Sequence, residues 1–267
     1  MSKELVVIKI ENSIAEVYLN RAEKHNSLTL EMFSAIADAG QSLQENRDIR
    51  AAILYGAGPS FCAGLDFSLM TKILEQGSSG DAVIAALIGK SGQNENLAQR
   101  VAMIWQQVDF PVIAAIDGAA FGGGFQIAMG CDFRIASPNA KFSIMELHYG
   151  LVPDMGITKT LPGILRKDQA LELALTARQF DAREALQLGV VTKIEKDYLG
   201  KARELAAEIS ARSPDAVRGC KKLFNTAWKS SQDDSLELEA LIQGQLLGSP
   251  NQREAVLAAM EKRSARF

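Results

Sequence analysis

Three consecutive glycines, Gly122, Gly123 and Gly124, separate the apolar β-branched run Val112–Ile116 from the apolar segment Phe125–Met129. The first segment reads as a buried strand that ends in the Asp117-Gly118 turn signal, the second as a helix. Bare backbone at a helix start lets a ligand reach N–H groups where the helix dipole is positive. Such a loop can hold an anion, or an oxygen that becomes anionic during a reaction. It reads equally as a tight strand-to-helix turn. Two phosphate-binding patterns fail on spacing. The dinucleotide fingerprint needs a third glycine where Ile127 stands, and the loop ending Gly89-Lys90-Ser91 needs a glycine where Ile84 stands.

Glu146 and Asp154 are the second feature. They sit among Leu147, Tyr149, Leu151, Val152, Pro153 and Met155, just after a short strand at Lys141–Ile144. Two carboxylates in a largely apolar stretch need partners or a function. A helix cap plus a buried salt bridge would supply the partners; acid–base chemistry would supply the function.

The elements that must position these groups alternate between strands and helices over residues 1 to about 200. Val6–Ile10 and Ile14–Leu19 read as a hairpin about Glu11-Asn12, Ala51–Tyr55 as a strand, and Thr29–Asn46 as a helix capped by Thr29. Residues 67–110 are mostly helical, interrupted at Gly77-Ser78-Ser79-Gly80, which reads as a flexible loop, and at Gly92-Gln93-Asn94. From 201 to 267 the pattern is helical, with Pro214 opening one helix and Gly248-Ser249-Pro250 separating the last two. No internal sequence repeat stands out.

Composition narrows the function classes. A net charge of -3 gives no electrostatic reason for nucleic-acid or membrane-surface binding. No apolar run is long enough to span a bilayer. Neither a secretory nor a transit pattern opens the chain, and SARF is not the peroxisomal tripeptide, so a cytoplasmic protein is expected. Cys62, Cys131 and Cys220 are odd in number and widely spaced; with only His25 and His148 as imidazoles, neither a zinc site nor a disulfide framework is expected. No G-x-S-x-G is present, which argues against an α/β-hydrolase serine nucleophile.

The order of segments resembles the crotonase (enoyl-CoA hydratase/isomerase) superfamily over nearly the whole chain. The resemblance rests on LNRAEKHNSL (19–28), AAILYGAG (51–58), FCAGLD (61–66), PVIAAIDGAAFGGGFQIAMGCDFRIAS (111–137), FSIMELHYGLVPDMG (142–156) and LTARQFDAREALQLGVV (175–191). It implies an α/β spiral of repeated strand-strand-helix units over residues 1–200. A C-terminal helical region at 201–267 would pack subunits into a homotrimer or a hexamer of paired trimers. It implies an acyl-CoA substrate, with coenzyme A part of the substrate and no permanently bound cofactor or metal. The thioester oxygen would lie between the N–H groups of Leu65 and Gly123, with Ala63, Gly64, Asp66 and Gly122 as substrate-binding neighbours. The family's region corresponding to 67–110 covers the acyl pocket.

The acid–base residues then decide the reaction. Hydratases of this superfamily use two glutamates; the later one matches Glu146, but Gln126 stands at the earlier position and cannot act as a carboxylate. Dienoyl-CoA isomerases are similar at both Glu146 and Asp154, eight residues apart, although they usually carry an aspartate where Gln126 stands. That residue supports the glutamate, a task open to glutamine. The expected activity is therefore an isomerase acting on a 3,5-dienoyl- or 3-enoyl-CoA. The alternatives are a hydratase, another reaction of the superfamily, or an acyl-CoA binder that kept the fold and lost a carboxylate.

Overall fold

We describe a computed structural model covering residues 4–76, 82–89, 95–228 and 230–267. The glycine-containing breaks expected at 77–80 and 92–94 lie outside these residues. The strands are β1 (Val6–Glu11), β2 (Ile14–Leu19), β3 (Ala51–Gly56), β4 (Val112–Ile116), β5 (Ala119–Phe121), β6 (Phe133–Ala136), β7 (Lys141–Ser143), β8 (Phe180–Asp181) and β9 (Lys193–Ile194). The helices are α1 (Leu30–Gln44), α2 (Phe67–Gln76), α3 (Ala82–Ile88), α4 (Leu97–Gln107), α5 (Gly123–Gly130) and α6 (Ile157–Thr160). They continue as α7 (Lys167–Thr176), α8 (Ala182–Gln187), α9 (Tyr198–Ser210), α10 (Pro214–Ala227), α11 (Gln232–Leu246) and α12 (Pro250–Met260).

Two sheets run through the molecule. The larger has the order β1-β2-β3-β4-β6-β9, the smaller β5-β7-β8. Only β1 and β2 are antiparallel in the large sheet. Their turn is Asn12-Ser13, both at positive φ, the conformation a two-residue hairpin requires. Thereafter the chain repeatedly gives a strand to the large sheet, a short extended piece to the small one, and then a helix. Cys62 takes part through a parallel bridge to Ala120, extending the small sheet toward the FCAGLD segment. This is the strand-strand-helix spiral, and its period is carried by topology rather than by repeated residues.

β4 is apolar throughout because both its faces are covered. Val112, Ala114 and Ile116 face the main core, shared with α1, α4 and α5. Ile113 and Ala115 face the other way, against Ala202 and Ala206 of α9. A division near residue 200 therefore crosses a helix that seals the sheet. α10 is tied in by Lys221, a buried lysine donating to the carbonyls of Trp105 and Phe110 and to Asp132 Oδ2 at 2.8–2.9 Å. All three cysteines are free thiols, and burial pushes those of Cys62 and Cys131 up to about 12. No helix among the described residues is long and apolar enough to cross a membrane, and none of their His, Cys, Asp and Glu clusters could hold a metal ion.

Candidate active site

The residues after β3 are shaped by the segment after β2. Asn26, fully buried, donates to the carbonyls of Ala57 and Ser60 and accepts from the Arg21 N–H. Leu28 N–H donates to Gly64 O at 2.8 Å, and Asp66 N–H to Leu28 O at 3.0 Å, so Leu28 and Leu65 form a parallel bridge. Ala63 N–H donates to His25 O. Gly64 sits at φ +91°, and a Cβ there would lie 2.8 Å from Phe121 O, so the position is closed to other residues.

The glycine triplet lies beside this segment. Phe121 N–H donates to Cys62 O, and a Cβ on Gly124 would stand 2.2 Å from that same oxygen. Gly122, at φ +51°, donates to Ser143 O and accepts from Gln126 N–H, which starts α5. Among the described residues, no main-chain acceptor engages the N–H of Leu65 or of Gly123. The two candidate donors thus come from adjoining segments, each on a peptide whose carbonyl is already hydrogen-bonded.

Glu146 opens a 3-10 turn, Glu146–Tyr149, after β7. Its Oε1 accepts from Gln126 Nε2 at 2.6 Å, and Gln126 Oε1 accepts from the Met155 N–H at 2.8 Å. The amide is therefore consumed at both ends: it joins the glutamate to the Asp154–Met155 stretch. Glu146 Oε2 is buried and has no hydrogen-bond partner among the described residues. Burial raises the Glu146 carboxyl above the usual range, the hydrogen bonds from its own backbone and Gln126 oppose that, and the Asp154 charge adds to it. Asp154 is exposed as a residue, yet burial of its carboxyl still pushes that group upward. Neither carboxylate has a cationic partner among the described residues, so the salt-bridge reading of this stretch fails.

The remaining expected residues fall as follows. Ala63, Gly64 and Gly122 line the junction of the two donor segments. Asp66 is committed elsewhere: its Oδ2 accepts from Arg21 and Ser27, its Oδ1 from the N–H and hydroxyl of Ser68. Burial would raise this carboxyl, but the bonds from Ser68, Arg21 and Ser27 outweigh it and hold it far below the usual range. Phe67 and Tyr149, both exposed, meet edge to face with ring centroids 6.0 Å apart, bringing the start of α2 against the Glu146 turn. His148 packs edge to face against Tyr149, with ring centroids 4.9 Å apart. A groove of about 1070 Å³ beside α10, lined by Met129, Cys131, Phe224 and Trp228, includes none of these residues.

A side chain at Gly123 would meet protein: its Cβ would lie 2.7 Å from Leu28 Cδ1 and 2.8 Å from Met155 Sδ. We expect Gly123→Val to lose turnover through displacement of these two neighbours, with a stability loss of about 1–3 kcal/mol from overpacking. Thermal melting together with a turnover assay checks this; a folded, fully active variant would remove Gly123 as a donor.

Comparison with known proteins agrees with this architecture. The profile of the Enoyl-CoA hydratase/isomerase family matches residues 9–267. A peroxisomal Delta(3,5)-Delta(2,4)-dienoyl-CoA isomerase of Arabidopsis thaliana is 35% identical over 273 residues, spanning 99% of this chain and 96% of the relative. A crotonyl-CoA hydratase of Syntrophomonas wolfei is 32% identical over 270 residues, spanning 100% of this chain and 99% of the relative. The crystal structure of an enoyl-CoA hydratase from Bacillus anthracis superposes with a TM-score of 0.88 at 28% identity, covering 98% of each chain. The fold and the matched length define a crotonase-type enzyme, and the chain belongs to the enoyl-CoA hydratase/isomerase family. Its relatives divide between dienoyl-CoA isomerases and hydratases.

Proposed function

We propose that this enzyme is an acyl-CoA isomerase that shifts double bonds in a 3,5-dienoyl- or 3-enoyl-CoA, with Glu146 and Asp154 as its proton carriers. The observation that carries this reading is the state of those two carboxyls. Both are raised, neither has a cationic partner among the described residues, and the charge of Asp154 raises Glu146 further. Two carboxyls in different surroundings can differ in protonation, so one can be ionised while the other holds its proton. A two-ended proton transfer needs that form. One carboxylate takes the proton from C2, and the electron pair spreads onto the thioester oxygen. The other carboxyl gives a proton to C6, leaving the 2,4-dienoyl product.

The thioester oxygen would accept from the N–H groups of Leu65 and Gly123. Such donors act where negative charge develops, and removing one typically costs about 3–4 kcal/mol of transition-state stabilisation. Coenzyme A enters and leaves with the acyl group, so the chemistry as proposed needs no resident cofactor or metal. The test is incubation with a 3,5-dienoyl-CoA, watching the ultraviolet change as the diene comes into conjugation with the thioester. Conversion supports isomerase; tight binding without turnover supports a binder that kept the fold.

A hydratase is the second reading, supported by the relatives with that activity. Gln126 weighs against it. Its amide holds Met155 N–H on one side and Glu146 on the other, so it can neither take nor give a proton to a water. Native hydration of crotonyl-CoA should be very slow. In Gln126→Glu, one oxygen can keep the Met155 N–H while the other faces Glu146 and shares a proton with it. We expect crotonyl-CoA hydration to rise in this variant. Efficient hydration by the native enzyme would sink the idea.

A further inference from the structure

We infer that Arg21 and Asp66 are positioning residues for the Leu65 N–H, acting as a charged clasp across the segment that carries it. This rests on the reading of Leu65 as an oxyanion donor.

A trans peptide is planar, with its C=O and N–H pointing in opposite directions. Gly64 O is held by Leu28 N–H, so the Leu65 N–H of the same peptide is aimed away from Leu28. A hydrogen bond to the carbonyl end also polarises the peptide and strengthens its N–H as a donor. Both the aim and the strength of the donor therefore depend on where Leu28 stands relative to Gly64. The Asp66 N–H to Leu28 O bond closes the other side of Leu65.

Two main-chain bonds alone leave such a ladder free to slide and twist. The side chains just outside it remove that freedom. Ser27, the residue before Leu28, donates through its hydroxyl to Asp66 Oδ2 at 2.7 Å; Asp66 is the residue after Leu65. One guanidinium nitrogen, Arg21 Nη1, donates to Asp66 Oδ2, Ser27 Oγ and Ser27 O together. Ser68 fills Asp66 Oδ1 and fixes the start of α2 on the far side. Asp66 is 8% exposed, so little water competes for these bonds. The clasp joins the flanks of Leu28 and Leu65 and touches no group proposed to move a proton. Its effect on the reaction thus runs through the aim and strength of one N–H.

The test reads carbonyl polarisation directly. A 4-(dimethylamino)cinnamoyl thioester of coenzyme A absorbs at longer wavelength when its carbonyl oxygen accepts strong hydrogen bonds. Bound to the native enzyme it should show a clear red shift. Arg21→Met should lose most of that shift while keeping affinity for the thioester. With a turned-over substrate kcat should fall by up to roughly 10²-fold at little change in KM, the scale of a misplaced catalytic group. Arg21→Lys, which can still pair with Asp66, should recover part of both. An undiminished shift in folded Arg21→Met overturns the clasp and leaves the oxyanion reading standing. No shift in the native enzyme overturns that reading and the clasp with it. If Arg21→Met does not fold, Ser27→Ala decides: it removes one bond to Asp66 and keeps the charge pair. A reduced shift supports the clasp; an unchanged shift overturns it.

Discussion

Glu146→Gln should lower turnover of a 3,5-dienoyl-CoA by roughly 10²- to 10⁴-fold, the range for a general acid–base group, and raise thermal stability near neutral pH. The first effect follows from loss of the proton carrier. The glutamine carbonyl can still accept from Gln126 Nε2, so the link from α5 to the Glu146 turn persists. The second follows from the raised carboxyl. Between the ordinary carboxylate pKa and the raised folded value, the folded enzyme holds a proton that the unfolded chain has lost. Stability therefore falls as pH climbs through that window, and the penalty is complete above the folded pKa. Glutamine resembles the protonated acid in shape and in leaving a donor where Oε2 lies, so it removes the ionisation penalty without a new contact. Melting curves of both proteins at pH 8 and at about pH 4, near the unfolded carboxylate value, check this. The variant should lead at the higher pH and lose most of that lead at the lower. Retained activity on every acyl-CoA tried would mean that Glu146 is not the proton carrier.

Asp154→Asn separates the two isomerase reactions. Moving a double bond from the 3 to the 2 position can use one carboxylate for both proton steps. Conjugating a 3,5-diene with the thioester needs a proton taken at C2 and another given at C6, beyond the reach of one short side chain. We expect the dienoyl reaction to fall by roughly 10²- to 10⁴-fold and the monoenoyl reaction to change little. Deuterium appearing at C6 in heavy water, followed by NMR, should disappear with the dienoyl activity. Equal losses on both substrates would show that Asp154 acts on the fold or on binding. Asp154 is more exposed than Glu146, so its variant should show the smaller pH-dependent change in melting.

Residue type and order mark the glycine triplet, Glu146 and Asp154 as candidates, while Leu65 is marked only by the resemblance of FCAGLD to the family pattern. The chain also announces β4 through its unbroken apolar run, and α1 through the Thr29 cap, whose hydroxyl accepts from Met32 N–H. Other features leave no such trace. Arg21 and Asp66 meet across 45 residues, a separation with no local period. The Met155 N–H that fixes Gln126 is main chain, and any residue but proline would supply it. The Gln126 amide reads as a missing carboxylate until its two partners are seen. What a Cβ at Gly123 would meet is set by Leu28 and Met155, which arrive from opposite sides of the sequence. Pairings between distant segments are set by topology, and topology is what residue spacing does not encode.

The buried ammonium of Lys221 also bears on how this chain is made. Its three acceptors lie 116, 111 and 89 residues earlier. At roughly 5–20 residues per second, a ribosome needs on the order of 5–20 s to deliver the lysine after the last acceptor it serves, the Asp132 carboxylate. Throughout that interval the acceptors at the end of α4 must stay hydrated, since burying one without a partner costs about 1–3 kcal/mol. Until α10 emerges, the carbonyls of Trp105 and Phe110 and the Asp132 carboxylate lack the ammonium that joins them in the folded enzyme.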